Sequence, residues 1–217
     1  MTARESMLGS IRTALSRTAG QDPGPPPPVT LRIPQQDALD RAALFAQRLE
    51  KLAGRCFFAP TPAAAADYVR RLLDGKRAVA SAAPFLSACG ITGLPGVSLD
   101  TSRDACAQAD IGITGADFAL ADTGTLVLLA GPKESRLVSL LPPMHVAVFP
   151  RSAILTGLDE LFSVLPKPAE QTSSMVLITG PSRTADIEQI LVRGVHGPGV
   201  VHAVIVGEDE PRPLCVY

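Results

Sequence analysis

The sequence predicts an α/β domain whose mostly parallel, mixed sheet carries helices on both faces. Short apolar runs that do not alternate with polar residues recur from residue 56 to residue 206, and segments with apolar residues at helical spacing lie between most of them. Composition agrees: of 217 residues 46% are hydrophobic and 19% charged, enough apolar surface for a sizeable core in one domain, at most two.

The elements follow in order. Residues 1–18 suit a short helix with Met7, Leu8, Ile11 and Leu15 on one face. Gly20-Gln21-Asp22-Pro23-Gly24 and the four prolines from Pro25 to Pro28 come next, a run short of backbone donors that favours loop or extended chain. Residues 1–30 therefore read as an N-terminal helix and Pro-rich arm, and 31–217 as the α/β domain. The arm's apolar face needs a partner surface, its own core or a second subunit, which leaves a homo-oligomer open. A helix over Asp37–Ala53 places Leu44, Phe45, Leu49 and Leu52 at helical spacing, with Gly54 as its stop. Cys56–Ala59 is a strand. Thr61 and Pro62 cap and open a helix to Leu73, which Asp74-Gly75 ends. Strands are expected at Arg77–Ala82 and near Val97, and a short helix from Thr101. Ile111–Ala119 and Thr125–Ala130 are strands so close that they pair antiparallel or bend sharply. Arg136–Leu141 (helix), His145–Phe149 (strand), Leu158–Leu165 (helix), Met175–Thr179 (strand), Asp186–Val192 (helix) and Val201–Val206 (strand) complete the chain.

Several function classes are disfavoured. A formal charge of −1, with no run of like charges and no Trp, argues against nucleic acid or an anionic membrane surface as partner. No apolar run approaches the roughly 20 residues a spanning helix needs, and Arg4, Glu5, Arg12 and Arg17 lack the apolar stretch of a secretory signal, so the cytoplasm is expected. Cys56, Cys89, Cys106 and Cys215 include no Cys-x-x-Cys pair, and His145, His196 and His202 are scattered. No metal site and no cofactor are expected within this chain.

In parallel sheets ligands sit at the carboxyl ends of strands, which directs attention to the loops after Ile113, Leu120, Phe149 and Ile178. Thr179-Gly180-Pro181-Ser182-Arg183-Thr184-Ala185-Asp186-Ile187-Glu188 runs from a strand into a helix. Gly180, Ser182, Arg183 and Thr184 there could cradle a small anion at unpaired backbone N–H groups, or Ser182 or Thr184 could merely cap the helix, with Asp186 and Glu188 complementing its dipole. Gly112-Ile113-Thr114-Gly115-Ala116-Asp117 and Ala121-Asp122-Thr123-Gly124-Thr125 place two carboxylates and two glycine turns within a dozen residues. Asp122 could act as nucleophile or general base, with Gly115, Thr123 and Gly124 shaping the site, or Asp-Thr-Gly could be simple turn chemistry. Gly194-Val195-His196-Gly197-Pro198-Gly199 carries His196 in a loop where backbone can approach a ligand closely, which makes His196 a catalytic candidate or a hydrogen-bonded structural residue.

These segments, with Arg136-Leu-Val-Ser-Leu-Leu-Pro-Pro-Met-His-Val-Ala-Val at 136–148, resemble the lactate-utilisation (LUD) domain family over residues 36–206. The resemblance implies a fold like that of the CoA-transferase, ribose-phosphate isomerase and formyltetrahydrofolate cyclo-ligase group. It also implies a role in oxidising L-lactate to pyruvate beside iron–sulfur partner proteins. The family commonly has Glu at the position of Asp122, and related CoA transferases use Glu in a similar Glu-x-Gly turn as nucleophile. The side chain here is one methylene shorter, which weakens the case for covalent catalysis.

Three hypotheses stand on the sequence. One is a non-redox subunit or accessory protein of lactate oxidation, with a cleft in which Ser182, Arg183 and Thr184 hold a small anion and Asp122 and His196 line the same site, Arg136 being a further ligand-binding candidate. Another is a stand-alone enzyme acting on a sugar phosphate or CoA thioester through Asp122. The last is a scaffold whose motifs serve only turns and caps.

Overall fold

Six strands form one fully parallel sheet, and a second, four-stranded sheet packs against it. The structure, a computed structural model, describes residues 2–16, 18, 38–131, 135–184 and 192–207. The chain divides into two units, Met1–Leu31 and Arg32–Tyr217. In the first, α1 (Ala3–Ala14) begins with a capping box: Thr2 Oγ1 accepts from the Glu5 amide at 3.3 Å and Glu5 accepts from the Thr2 amide at 2.7 Å.

The second unit opens with α2 (Ala38–Lys51), β1 (Arg55–Ala59), α3 (Pro62–Leu73), β2 (Ala78–Ala80) and α4 (Pro84–Ala88). Then come β3 (Val97–Ser98), α5 (Arg103–Gln108), β4 (Ile111–Thr114), β5 (Phe118–Leu120), β6 (Thr125–Leu129), α6 (Arg136–Leu140) and β7 (Met144–Pro150). The rest is β8 (Ile154–Leu155), α7 (Leu158–Val164), α8 (Pro168–Gln171), β9 (Met175–Ile178), β10 (Arg183–Thr184), β11 (Val192–Arg193) and β12 (Val200–Val206). The helix expected over 186–192 lies outside the described residues except for Val192, which is strand and pairs with Thr184.

The parallel sheet has the order β1-β12-β7-β4-β2-β3. Its even-numbered face through β2, β7 and β12 (Ala78, Ala80, Val146, Val148, Val204, Val206) packs under α3 and α4. The opposite face is shared: α5 and α6 cover Val79, while α2 and the second sheet cover Ala147, Phe149, Ala203 and Ile205. The second sheet, β8-β5-β6-β9, is mixed, and its outer residues Leu120, Val127 and Leu155 pack with Leu161 of α7. The fold is thus α/β with a mostly parallel sheet and helices. Among the described residues no helix is long and apolar enough to cross a membrane.

Three differences from the sequence expectation have local causes. The strand expected over 111–119 breaks at Gly115. Asp117 then donates its amide to Val127 O (3.0 Å) and accepts from the Leu129 amide (2.7 Å), turning the chain out of the first sheet and into the second. The left-handed residue ending α2 is Ala53 (φ 66°), not Gly54. Ala53 N bonds Glu50 O at 2.8 Å and Gly54 N bonds Leu49 O at 3.0 Å, a Schellman closure in which Gly54 holds the second position. A Cβ on Gly54 would lie 2.5 Å from Leu49 Cγ, so this glycine serves close packing. Finally α4 follows β2 directly, opened by Pro84 without a side-chain cap, the signal that otherwise announces a helix.

Two buried histidines sit in the parallel sheet. His145 Nε2 bonds Thr114 Oγ1 at 2.8 Å, and His202 Nδ1 bonds the Tyr68 hydroxyl at 2.8 Å. Burial pushes both imidazoles down to about 4, helped at His202 by the charge of Arg55. Between that value and the ordinary 6.5, the unfolded chain takes up protons that the folded chain refuses. Stability contributed by the two rings is therefore complete above pH 6.5 and lost on acidification toward about 4. Thermal unfolding across pH 7.5–4.5 (approximate bounds) should show a falling midpoint, with a shallower slope in His145→Gln and in His202→Gln. Equal slopes in all three proteins would refute this account. A second prediction concerns Gly112, where a Cβ would meet the Val138 carbonyl oxygen at 1.8 Å. Because that contact is backbone, Gly112→Ala must push α6 off the sheet and should lower urea stability by about 3 kcal/mol or more.

Candidate functional site

The Asp122 turn is held by backbone on three sides. Ala121 N donates to Leu155 O (2.9 Å), Asp122 N to Thr156 O (3.0 Å) and Gly124 N to Leu120 O (2.9 Å). Gly124 has φ 69°, and a Cβ there would stand 2.4 Å from Leu49 N, so this turn rests directly on the backbone of α2. Asp122 and Thr123 are exposed at its tip. On one side, Asp122 Oδ1 accepts from Thr123 Oγ1 at 3.2 Å. On the other, Oδ2 lies against Gly157, where a Cβ would come within 2.5 Å of it.

A chain of hydroxyls leads away from this carboxylate. Thr125 Oγ1 donates to Thr123 Oγ1 at 2.8 Å and lies 2.9 Å from Thr179 Oγ1. The contact follows from sheet register: Leu126 pairs with Ile178, which sets Thr125 and Thr179 opposite each other just beyond. Thr179 opens the segment singled out at 179–184. Gly180 (φ 87°) packs on Leu52, and the Arg183 guanidinium donates to the Leu52 carbonyl, so this loop also rests on the C-terminal turn of α2. Ser182 N donates to Pro198 O (2.9 Å), and Gly194 N donates to Ser182 O (3.0 Å). These bonds bind the 182 loop to the 194–199 loop, on which His196 is exposed.

The structure thus links Asp122, Thr123 and Gly124 to Gly180 and Ser182, and Ser182 to the His196 loop, through one run of contacts. It separates two other candidates. Arg136 bonds Ser174 Oγ at 3.4 Å, beside the Leu129 end of β6. Thr125 is at the opposite end, roughly 13 Å away at the usual strand rise. Gly115 lies in the break after β4, where a Cβ would be 3.2 Å from Ala83 Cβ, and its small size serves packing there. Arg183, expected to hold an anion, has a guanidinium N–H committed to the Leu52 carbonyl. Thr184 is in β10, and its side chain lies outside the described residues.

Sequence reasoning missed Thr125, Thr179, Gly157 and Glu160. The two threonines had a legible signal, hydroxyls at the start of one strand and just past the end of another. Gly157 had none, since its φ of −174° suits any residue and the approach of the Asp122 carboxylate becomes visible only in the structure. Glu160 acts through the backbone: Oε2 accepts from Thr156 N at 2.6 Å and Oε1 from Arg41 at 3.5 Å, fixing the segment whose carbonyl receives Asp122 N.

A cleft of about 380 Å³ lies elsewhere, between β3 and α5, lined by Val79, Val97, Ala105 and Ala109 among others, and touches none of these residues. Among the described residues no three His, Cys, Asp or Glu side chains are grouped to hold a metal ion. Cys56 is a poor nucleophile, because burial, then the charge of Glu50, pushes its thiol up to about 12.

A family model described as the LUD domain matches residues 97–206. Lactate utilization protein C of Halalkalibacterium halodurans is 46% identical over 107 residues, 48% of this chain and 46% of that protein. The protein of the same name from Exiguobacterium sp. is 41% identical over 111 residues, 49% of this chain and 48% of that protein. The matched stretch spans about half the length of these curated relatives. A crystal structure of a DUF162 family protein from Deinococcus radiodurans superposes with a TM-score of 0.64 at 20% identity, covering 80% of this chain and 100% of that one, a likeness of fold. The LUD match takes in half of the chain, including both turns joined by Thr125 and Thr179, and the chain belongs to the LUD domain family.

Proposed function

We propose that this chain is a non-redox accessory component of an L-lactate oxidation system, holding a small anion at the Asp122 end of the second sheet. The observation that carries the reading is the exposed carboxylate of Asp122 continued by three threonine hydroxyls. A carboxylate accepts a hydrogen bond from a ligand hydroxyl, and the exposed Thr123 hydroxyl, by exchanging its bond to Asp122, donates to a ligand carboxylate. A 2-hydroxy acid such as L-lactate offers both groups on adjacent carbons. Relatives matching about half of the chain bear the name lactate utilization protein C, which supports the physiological setting. Oxidation of lactate to pyruvate releases two electrons and two protons. In this proposal the electrons pass to iron–sulfur partner proteins, while this subunit binds and presents the acid. The six-stranded parallel sheet and the Asp-x-Gly turn are in keeping with kinship to the CoA-transferase group.

Deletion of the coding sequence should abolish growth on L-lactate as sole carbon source. The wild-type chain should restore it, and Asp122→Ala, produced at equal level, should restore less than a tenth of the rate. Full rescue by Asp122→Ala would exclude this site. Turnover of an acyl-CoA or sugar phosphate by the isolated chain would instead establish the stand-alone enzyme.

Gly157→Ala provides an independent check of the geometry. Its methyl group displaces the Asp122 carboxylate, so rescue should fail although the thermal midpoint falls by only a few degrees, corresponding to about 1–2 kcal/mol. Rescue equal to wild type would show that the carboxylate position is immaterial.

A further inference from the structure

A second cluster lies on the α3 face of the parallel sheet, built from residues the Asp122 site does not use. Arg55 of β1 pairs in register with His202 of β12. Tyr68 of α3 reaches across to His202 Nδ1 at 2.8 Å and stacks on Phe57 of β1, with ring centroids 4.2 Å apart and planes 8° apart. One turn along α3, the Arg71 guanidinium carbon lies 5.8 Å from the Tyr68 ring centroid. Both rings are half-buried, and both arginines are exposed.

The charge at this place is unbalanced. Three ion pairs occur among the described residues, and none involves Arg55 or Arg71. The positive charge of Arg55 acts on both Tyr68 and His202 and that of Arg71 on Tyr68, while the carboxylate of Asp67, one turn before Arg71 on α3, is paired with Arg70. His202 is itself neutral at ordinary pH, so it holds Tyr68 in place without adding charge. Two guanidinium groups beside a fixed aromatic stack thus offer planar donors to an oxyanion and an apolar rim to whatever carries it.

We propose that Arg55, Arg71 and the Phe57–Tyr68 stack form a binding site for a phosphate monoester, separate from the Asp122 site. The two guanidinium groups match a dianion, with a planar or apolar ester group lying along the half-exposed edge of the rings. His202 is a positioning residue, since its bond fixes the Tyr68 ring that Arg71 overlies.

The full chain should be titrated calorimetrically with phenyl phosphate and with inorganic phosphate, at an ionic strength held constant with sodium chloride. Phenyl phosphate should bind measurably and more tightly than inorganic phosphate. The exposed double substitution Arg55→Gln/Arg71→Gln should weaken it at least tenfold without moving the thermal midpoint. Tyr68→Ala should remove the preference for the phenyl ester. The control pair Lys51→Gln/Arg103→Gln removes the same charge from exposed positions of α2 and α5 and should leave affinity within twofold of wild type. Absence of binding to the wild-type chain would overturn the proposal, as would equal affinity in Arg55→Gln/Arg71→Gln or equal weakening by the control pair. None of these outcomes bears on lactate-dependent growth, so this site and the Asp122 site stand or fall separately.

Discussion

The arrangement of the Asp122 and Gly180 loops depends above all on the seating of α2 between the two sheets. Ala42, Phe45 and Leu49 are buried among Phe149, Ala203 and Ile205 of the parallel sheet and Leu126 and Leu128 of the second sheet. Phe45 meets Phe149 edge-on at 5.8 Å. The same helix supplies the surface on which both site loops lie: Gly124 on the backbone at Arg48 and Leu49, Gly180 on Leu52, and Arg183 on the Leu52 carbonyl. A helix carbonyl in the last turn has no intrahelical partner, so a guanidinium donating there satisfies an open acceptor and complements the helix dipole. The hydrophobic contact and the polar site are thus two faces of one packing arrangement.

Much of the fold was legible because its signals are local. Thr61 caps α3 by accepting from the Ala64 amide, and Asp74-Gly75 ends it with positive φ at both residues. Unalternating runs such as Val201–Val206 are buried on both faces of the sheet, as such runs must be. What escaped depends on contacts between distant segments. Nothing beside Gly112 tells that the Val138 carbonyl will press against it, and nothing beside Ala53 tells that it, rather than Gly54, will turn left-handed. The division into two sheets also escaped. It follows from the turn at Asp117, whose hydrogen bonds go to residues ten or more positions ahead.

The site divides along the same line. Asp122, Thr123 and Gly124 stood out because a tight turn between strands requires those residue types. Thr179 fell within the segment singled out, but its role becomes clear only once strand register sets it beside Thr125. Arg183 looked like an anion ligand because sequence shows its charge and not the carbonyl that receives it 131 residues away. Arg136 looked close because it follows the Asp122 motif by fourteen residues, a span the chain uses to run the length of β6 and beyond.

Glycine at 157 joins these arguments. Its backbone is extended, so no torsional preference selects it, and the residue is buried, so solvent exposure does not either. The carboxylate of Asp122 occupies the space a side chain at 157 would fill, so a larger residue there would turn this carboxylate aside. Meanwhile Glu160 holds the neighbouring amide of Thr156, whose carbonyl receives the amide of Asp122. The turn is therefore fixed from its backbone and its carboxylate is given room by a missing Cβ. The two together leave the Asp122 carboxylate at a surface where it meets solvent and the Thr123 hydroxyl.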